Sequence, residues 1–202
     1  LGKALSLAVV GKQELYALLM GTNLKPLAEE LQHYGIDGIY CYEDPSLESF
    51  SILPYTRQFE DFIDQVKPSS ILVGATNLGR SLAPRIAARY RTGLTADCTM
   101  LEIKENTDLV QFRPAFGGNI MAQIITTNHR PQFATVRYKV FDEAKRLGEK
   151  SGEIIPMEIQ AEKRKSKTEV LAITKKLEEV DLAEANTIVA VGRGLKSIQD
   201  IK

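Results

Sequence analysis

The chain has few of the residues that build disulfide frameworks, metal sites and membrane spans. Its two cysteines, Cys41 and Cys98, lie far apart and lack metal-ligand spacing, which excludes a disulfide framework or a zinc finger as an organising element. Each cysteine is most simply a small core residue, and this usage favours a reducing compartment, so we expect a cytoplasmic protein. Because no apolar run approaches the ~20 residues of a membrane-spanning helix, we expect no membrane insertion.

Charge excess is also absent. Lys and Arg together number 26, as do Asp and Glu, so the net charge at pH 7 is zero. A nucleic-acid binder normally carries a basic excess or stripe, and we therefore expect no nucleic-acid partner. We interpret the short basic cluster at residues 163–167 as a solvated linker.

Catalytic and metal-binding signals are weak. The only histidines, His33 and His129, are nearly a hundred residues apart, and neither accompanies a nucleophilic Ser or Cys. Asp97 and Asp181 have no carboxylate partner at acid–base spacing. The sequence therefore predicts no metal site, no catalytic residue and no hydrolytic chemistry.

Alternating strands and helices occupy the first ninety residues. Apolar periodicity and glycine stops predict helices at residues 1–11, 24–34, 54–66 and 79–90, and strands at residues 14–20, 39–42 and 71–73. This alternation predicts an α/β fold with a mostly parallel, nucleotide-binding-like sheet flanked by helices.

The pattern then changes to strands without room for crossover helices. Residues 98–104, 109–115, 120–126 and 133–137 predict successive strands, which could be hairpins or an antiparallel extension of the sheet. Residues 138–154 suggest a boundary or surface excursion. Further extended segments are predicted at residues 155–160, 170–173 and, as a buried strand, 187–191. Both ends of this pattern look cut, and we expect a fragment of a longer protein.

Three features could bind a ligand or a partner. The glycine turn at residues 74–80 joins a strand to a helix and could hold a phosphate, but an ordinary turn is favoured. The arginines at 113, 130 and 137 could grip a partner's carboxylates or a phosphate, or could form internal ion pairs with Asp97 or Glu102; we favour a partner interface slightly, because aromatic residues are interleaved with them. Gly192, Arg193 and Gly194 suit either a pyrophosphate, the edge of a flavin, or a plain glycine turn.

At these motifs the chain resembles the alpha subunit of electron transfer flavoproteins, in its bacterial branch. The motifs that carry the resemblance are residues 74–85, 91–98, 113–122, 130–137 and 192–196. Together they span most of the chain.

The resemblance implies two domains. Residues 1–180 would form an N-terminal α/β domain that packs against the beta subunit, and residues 181–202 would begin a truncated, flavodoxin-like FAD-binding domain. By position, Arg193 would contact FAD, with Gly192 and Gly194 shaping its turn, while the family's other FAD contacts lie beyond residue 202. The resemblance also favours the interface interpretation of the arginine-rich strands over a phosphate site at residues 74–79.

The function that follows is an electron-transfer subunit of a heterodimeric flavoprotein. It would pass electrons through FAD between acyl-CoA-type or other flavin dehydrogenases and a downstream acceptor, as a carrier and not as a catalyst with its own substrate. The alternative is a non-redox α/β module that docks a partner or binds an adenine nucleotide.

Overall fold

A computed structural model describes residues 1–174, 185, 187–194 and 197. The chain divides into two compact units, residues 1–169 and residues 170–202. The elements of the first unit are α1 (Gly2–Gly11), β1 (Tyr16–Gly21), α2 (Lys25–Leu31), β2 (Gly38–Glu43), α3 (Ile52–Val66), β3 (Ser70–Gly74), α4 (Asn77–Arg89), β4 (Leu94–Cys98), β5 (Met100–Ile103), β6 (Leu109–Ala115), β7 (Ile120–Ile125), β8 (Gln132–Val136) and β9 (Glu153–Pro156). None of the described helices is long and apolar enough to cross a membrane.

The strands form three sheets of three. The order β1-β2-β9 is parallel throughout, as is the order β3-β8-β4. The third sheet, β5-β6-β7, is antiparallel, and we call it the arm. The predicted α/β class with parallel sheets, flanking helices and an antiparallel extension is confirmed.

The predicted place of β8 was wrong. Residues 133–137 were grouped with the antiparallel strands, but β8 lies between β3 and β4 and is parallel to both. The chain leaves the sheet after β4, builds the arm and returns as β8, so the arm replaces a crossover helix. The predicted strand at 98–104 is divided at Thr99, because β4 belongs to the parallel sheet and β5 to the arm.

Two later strand predictions also need correction. The third parallel strand of the first sheet, Glu153–Pro156, pairs with β2 and begins within the stretch predicted as a boundary. Residues 170–174 and 187–191 are exposed and carry no strand, so the predicted buried strand at 187–191 is wrong. A strand is buried only when neighbouring strands or helices cover it, and no strand pairing is described for these residues. The acidic cap at Asp181 predicts a short helical turn at residues 181–185, but this stretch lies mostly outside the described residues.

The main core lies between the helices and the parallel strands. As the periodicity predicts, α3 buries Phe59, Phe62 and Ile63. They pack with the fully buried Phe133 of β8, whose ring centroid lies 6.4 Å from that of Phe59. The aromatic core therefore fixes α3 against the sheet from which the arm departs.

Candidate functional site

The glycine turn at residues 74–80 is built for packing. Thr76 caps α4, because its Oγ1 accepts a hydrogen bond from the Gly79 N–H at 3.1 Å. A Cβ added to Gly79 would lie 2.0 Å from the Gly74 carbonyl oxygen, so only glycine lets α4 approach β3 this closely. The Arg80 Nε donates to the Ala75 carbonyl, 2.9 Å away. These contacts support the favoured interpretation, an ordinary strand-to-helix turn.

Two arginines share the carboxylate of Asp97 at the end of β4. The Arg137 Nε and Nη2 donate to its Oδ2 at 3.0 and 2.6 Å, and the Arg80 Nη2 donates to its Oδ1 at 3.1 Å. The hydrogen bonds from Arg137, aided by the charge of Arg80, lower the pKa of Asp97 despite partial burial. Asp97 has a left-handed backbone (φ 62°), and its N–H donates to the Thr135 Oγ1 at 2.8 Å. Arg137 is therefore an internal ion-pair residue.

Arg130 lies at the base of the arm and connects the loop after β7 to Asp108, just before β6. Its Nη2 donates to the Asp108 Oδ1 at 2.7 Å, and its Nη1 donates to the carbonyl oxygens of Thr126, Thr127 and His129. The Arg130 hydrogen bond lowers the pKa of the Asp108 carboxyl. The prediction that Asp97 could form an internal ion pair with one of these arginines is confirmed. The sequence analysis missed Asp108 as the partner of Arg130. Among the described residues, no ion pair to Glu102 is found. Arg113 alone of the three forms no ion pair within the described residues.

The arm exposes apolar side chains where the partner interface was predicted. We call this set the arm surface; its members and exposed fractions are Met100 (41%), Phe116 (82%), Ile120 (53%), Met121 (55%) and Ile124 (36%). Exposed apolar groups gathered on one small sheet point to an interaction site. The interface hypothesis therefore rests on these residues more than on the arginines that suggested it. The sequence pattern that could have pointed to the arm surface is Phe116 followed by two glycines and an uncharged strand.

The predicted flavin-binding residues lie in the second unit. Gly192, Arg193 and Gly194 are all exposed, and Arg193 and Gly194 lie in a turn. A Cβ added to either glycine would meet none of the described atoms within 4 Å, and neither glycine has a positive φ. The described contacts thus give no internal reason for glycine at these positions.

The basic cluster at residues 163–167 is not simply a solvated linker. The Lys163 Nζ donates to an oxygen of Asp61, and Arg164 pairs with Asp44 at 3.0 Å. Arg57 of α3 donates to the carbonyl oxygens of Glu162 and Lys165, 3.1 and 2.7 Å away. We call residues 157–168 the strap, since these bonds hold this stretch along α3. The linker interpretation of Lys163 and Arg164 is corrected accordingly.

Asp61 is the centre of the strap's contacts. Burial raises the pKa of its carboxyl, but hydrogen bonds from Lys163, Tyr42 and Gln65 outweigh burial, and the pKa is lowered. The Tyr42 hydroxyl donates to the Asp61 Oδ2 at 2.7 Å. The carboxylate therefore joins strand β2, helix α3 and the strap in one charged network.

The two cysteines and His33 are held by burial or by a hydrogen bond. Cys41 and Cys98 are buried free thiols, and burial raises the pKa of each. The His33 Nδ1 forms an exposed hydrogen bond with the Leu147 carbonyl oxygen, 3.2 Å away. In the described part of the chain, no group of three His, Cys, Asp or Glu residues could hold a metal ion.

The α/β fold with its antiparallel arm is that of the electron transfer flavoprotein domain, whose family model matches residues 1–162. The chain belongs to the electron transfer flavoprotein family, whose members are flavoproteins, and its relatives include proteins named as alpha subunits of electron transfer flavoproteins. This confirms the family that the sequence motifs indicated.

Three curated relatives show how the similarity extends. The chain is 61% identical over 201 residues to "Lactate dehydrogenase (NAD(+),ferredoxin) subunit LctC" of Acetobacterium woodii, covering all of this chain and 48% of the relative. It is 41% identical over 204 residues to the "Electron transfer flavoprotein subunit alpha" of Megasphaera elsdenii, covering all of this chain and 60% of that protein. It is 36% identical over 213 residues to the "Acryloyl-CoA reductase electron transfer subunit beta" of Anaerotignum propionicum, covering 92% of this chain and 58% of that subunit. The chain thus spans about half to three fifths of the length of these relatives.

Proposed function

We propose that this chain is the N-terminal part of an electron-transfer subunit in a heterodimeric flavoprotein. The subunit passes electrons between flavin dehydrogenases, including acyl-CoA-type enzymes, and a downstream acceptor. The observation that carries the proposal is similarity along the entire chain to a named electron transfer flavoprotein alpha subunit. We also propose a cytoplasmic location, supported by two buried thiols that form no disulfide.

In this proposal, residues 1–180 form the scaffold domain and residues 181–202 begin the FAD-binding domain. FAD supplies the one- and two-electron chemistry when bound. Arg193 holds an anionic part of the cofactor through its fixed positive charge, while Gly192 and Gly194 let the backbone approach closely. Similarity along the entire chain to an electron transfer flavoprotein alpha subunit supports these roles.

Replacing Arg193 tests the flavin site directly. A positive guanidinium near the flavin stabilises the anionic reduced cofactor, so we expect Arg193→Ala in the full-length subunit, bound to its partner, to weaken FAD binding or lower the midpoint potential. Arg193→Lys retains the charge and is the matched control, with a smaller change expected in either quantity. Fluorescence titration with FAD and spectroelectrochemistry measure the two quantities. Unchanged affinity and potential in Arg193→Ala would refute the assigned role.

The beta subunit is the proposed stable partner, and the arm surface supports such a docking role. Co-purification of the full-length subunit with the beta subunit should yield a yellow complex containing FAD. A stable complex that is colourless, and that stays colourless after FAD is added, would instead favour the second candidate, a non-redox partner-docking module. An adenine-nucleotide module is tested by the melting temperature, which AMP or ATP would raise.

A further inference from the structure

The carboxyl edge of the β3-β8-β4 sheet carries more positive than negative charge. Arg80, near the start of α4, and Arg137, just after β8, both pair with the Asp97 carboxylate. The hydrogen bonds from Arg137 are the main cause of the lowered pKa of the Asp97 carboxyl, and the charge of Arg113 on β6 contributes as well. Three guanidinium groups thus face one carboxylate, which leaves an excess of two positive charges among the described residues. In open parallel α/β sheets, ligands bind outside this edge.

Arg113 is half-buried and lacks a partner. Within the described part of the chain, its guanidinium forms neither an ion pair nor a side-chain hydrogen bond. Removing a charged group from water costs free energy unless an opposite charge or hydrogen-bond acceptors replace the water. Arg80 and Arg137 also keep unused donors, because each makes its described bonds through Nε and Nη2 and none through Nη1. The edge therefore offers N–H donors from three arginines to one further acceptor.

A buried amide lies next to Arg113 on the same face of the arm. Residues two apart along a strand face the same way, so Gln111 and Arg113 share a face of β6. Leu109, also on that face, belongs to one buried cluster with Cys98 of β4 and Ala134 of β8, so this face covers the parallel sheet. Gln111 is completely buried, and neither polar atom of its amide has a hydrogen-bond partner among the described residues. Native proteins rarely leave such a group unpaired, and it points to a bound polar group that completes the site.

The backbone at the end of β4 is irregular beside these arginines. The pairing of β4 with β8 shifts its register between Thr95 and Cys98, and Asp97 lies within this shift with a left-handed φ of 62°. Irregular pairing re-aims side chains next to functional sites, and residues other than glycine in left-handed backbone collect at ligand-binding positions. The irregularity therefore marks the position of the charge cluster as more than a structural ion pair.

We propose that the three arginines bind a phosphoryl group at this edge, either as free phosphate or as a phosphate monoester, with Gln111 as the inner amide donor. A phosphate dianion matches the excess of two positive charges, and its oxygens accept bonds from guanidinium groups in a planar, paired geometry. A carboxylate of a protein partner brings one charge and two oxygens, which would leave one positive charge uncompensated. Asp97 stays in the site as the acceptor that orients Arg80 and Arg137. The site is independent of the proposed electron-transfer function.

The test compares two substitutions that each remove one positive charge from the full-length protein. Arg113→Gln removes the unpaired guanidinium, whereas Arg146→Gln removes one that pairs with Glu30 of α2. Isothermal titration calorimetry at constant ionic strength should show that Arg113→Gln raises the Kd for inorganic phosphate by about tenfold, because charge-assisted hydrogen bonds are lost. Arg146→Gln should leave that Kd within about twofold, since distant surface charges are screened by salt. Circular dichroism verifies that each variant is folded.

A second variant tests the inner donor without removing a charge. Gln111→Met should raise the Kd for phosphate severalfold while the melting temperature is kept or raised, because the amide is unpaired when phosphate is absent. A purely structural role for Gln111 would instead leave the Kd unchanged. That result would overturn the inner donor, and an unchanged Kd in Arg113→Gln would overturn the site.

Two ligands distinguish the source of the phosphoryl group. A similar Kd for inorganic phosphate and for glycerol 3-phosphate would assign the site to the phosphoryl group alone, and tighter binding of glycerol 3-phosphate would assign it to a phosphate monoester. Absence of saturable binding of either ligand by the wild type would overturn the proposal. If Arg113→Gln then weakened binding of the beta subunit, Arg113 would be shown to pair with a carboxylate of a protein partner instead. None of these outcomes alters the proposed electron-transfer function.

Discussion

Gly79 provides the sharpest stability test, because it separates a packing turn from a ligand-binding turn. In Gly79→Ala the new methyl group would lie 2.0 Å from the Gly74 carbonyl oxygen and 2.9 Å from the Val73 Cγ1. An ordinary contact is 3.4–4 Å, so α4 must move from β3 by more than 1 Å. The obstacle is backbone that belongs to a paired strand, which cannot rotate away as a side chain could.

The expected magnitude follows from two opposing effects. Overpacking of a well-filled site lowers the free energy of unfolding by about 1–3 kcal/mol, and a backbone obstacle places Gly79→Ala at the upper end. Alanine recovers up to about 1 kcal/mol of helix propensity. We therefore expect a net loss of about 2 kcal/mol, equivalent to a melting temperature lower by roughly 4–8 °C for a chain of this size.

The matched control lies five residues earlier in the same turn. A Cβ on Gly74 would meet only the Thr76 Cγ2, at 3.9 Å, so Gly74→Ala should change the free energy of unfolding by less than about 0.5 kcal/mol. Differential scanning calorimetry of both variants measures the contrast. Equal melting temperatures for Gly79→Ala and the wild type would show that close helix–strand packing does not require glycine.

Two further predictions concern buried polar groups. Gln111 is completely buried, and both polar atoms of its side-chain amide lack a hydrogen-bond partner among the described residues. We therefore expect Gln111→Met to keep or raise the melting temperature. A clear fall in the melting temperature would reveal a hydrogen-bond partner that the packing argument overlooks. Asp61→Asn should lower the free energy of unfolding at pH 7 by about 2 kcal/mol, below the usual loss for a fully buried pair because Lys163 is partly exposed. Since the folded pKa of Asp61 is lowered, its contribution is present above the unfolded value of about 3.9 and is lost as the pH falls through the folded pKa. Urea titrations at pH 7 and pH 3 should thus show a smaller difference between Asp61→Asn and the wild type at the lower pH, and an equal difference would contradict this assignment.

Local pattern was sufficient to predict the helices and the first three strands. The buried face of α3 could be predicted because apolar residues recur at the helical period, and burial follows from that periodicity. The glycine stop of α1 and the turn before α4 could be predicted for similar reasons, since capping depends on a few adjacent residues. The motifs around Asp97 and Arg113 also identified the family, which the match over residues 1–162 confirms.

The partners of the arginines and the order of the strands were decided by the tertiary structure. Phe133 lies in a central parallel strand because the chain returns there from the arm, and no local pattern encodes which strands it will separate. Asp108 and Arg130 meet across 22 residues, and Asp61 and Lys163 across 102, so neither pair has a local signature.

The sequence by itself therefore determined the class of fold, the family and the periodic core, because these depend on local spacing and on motifs that lie within short stretches. The tertiary structure decided that most of the predicted arginines bind carboxylates of their own chain. It also decided that apolar side chains of the arm, Phe116 among them, are exposed. Exposure is a property of how distant segments cover one another, and the order of residues along the chain does not contain it directly.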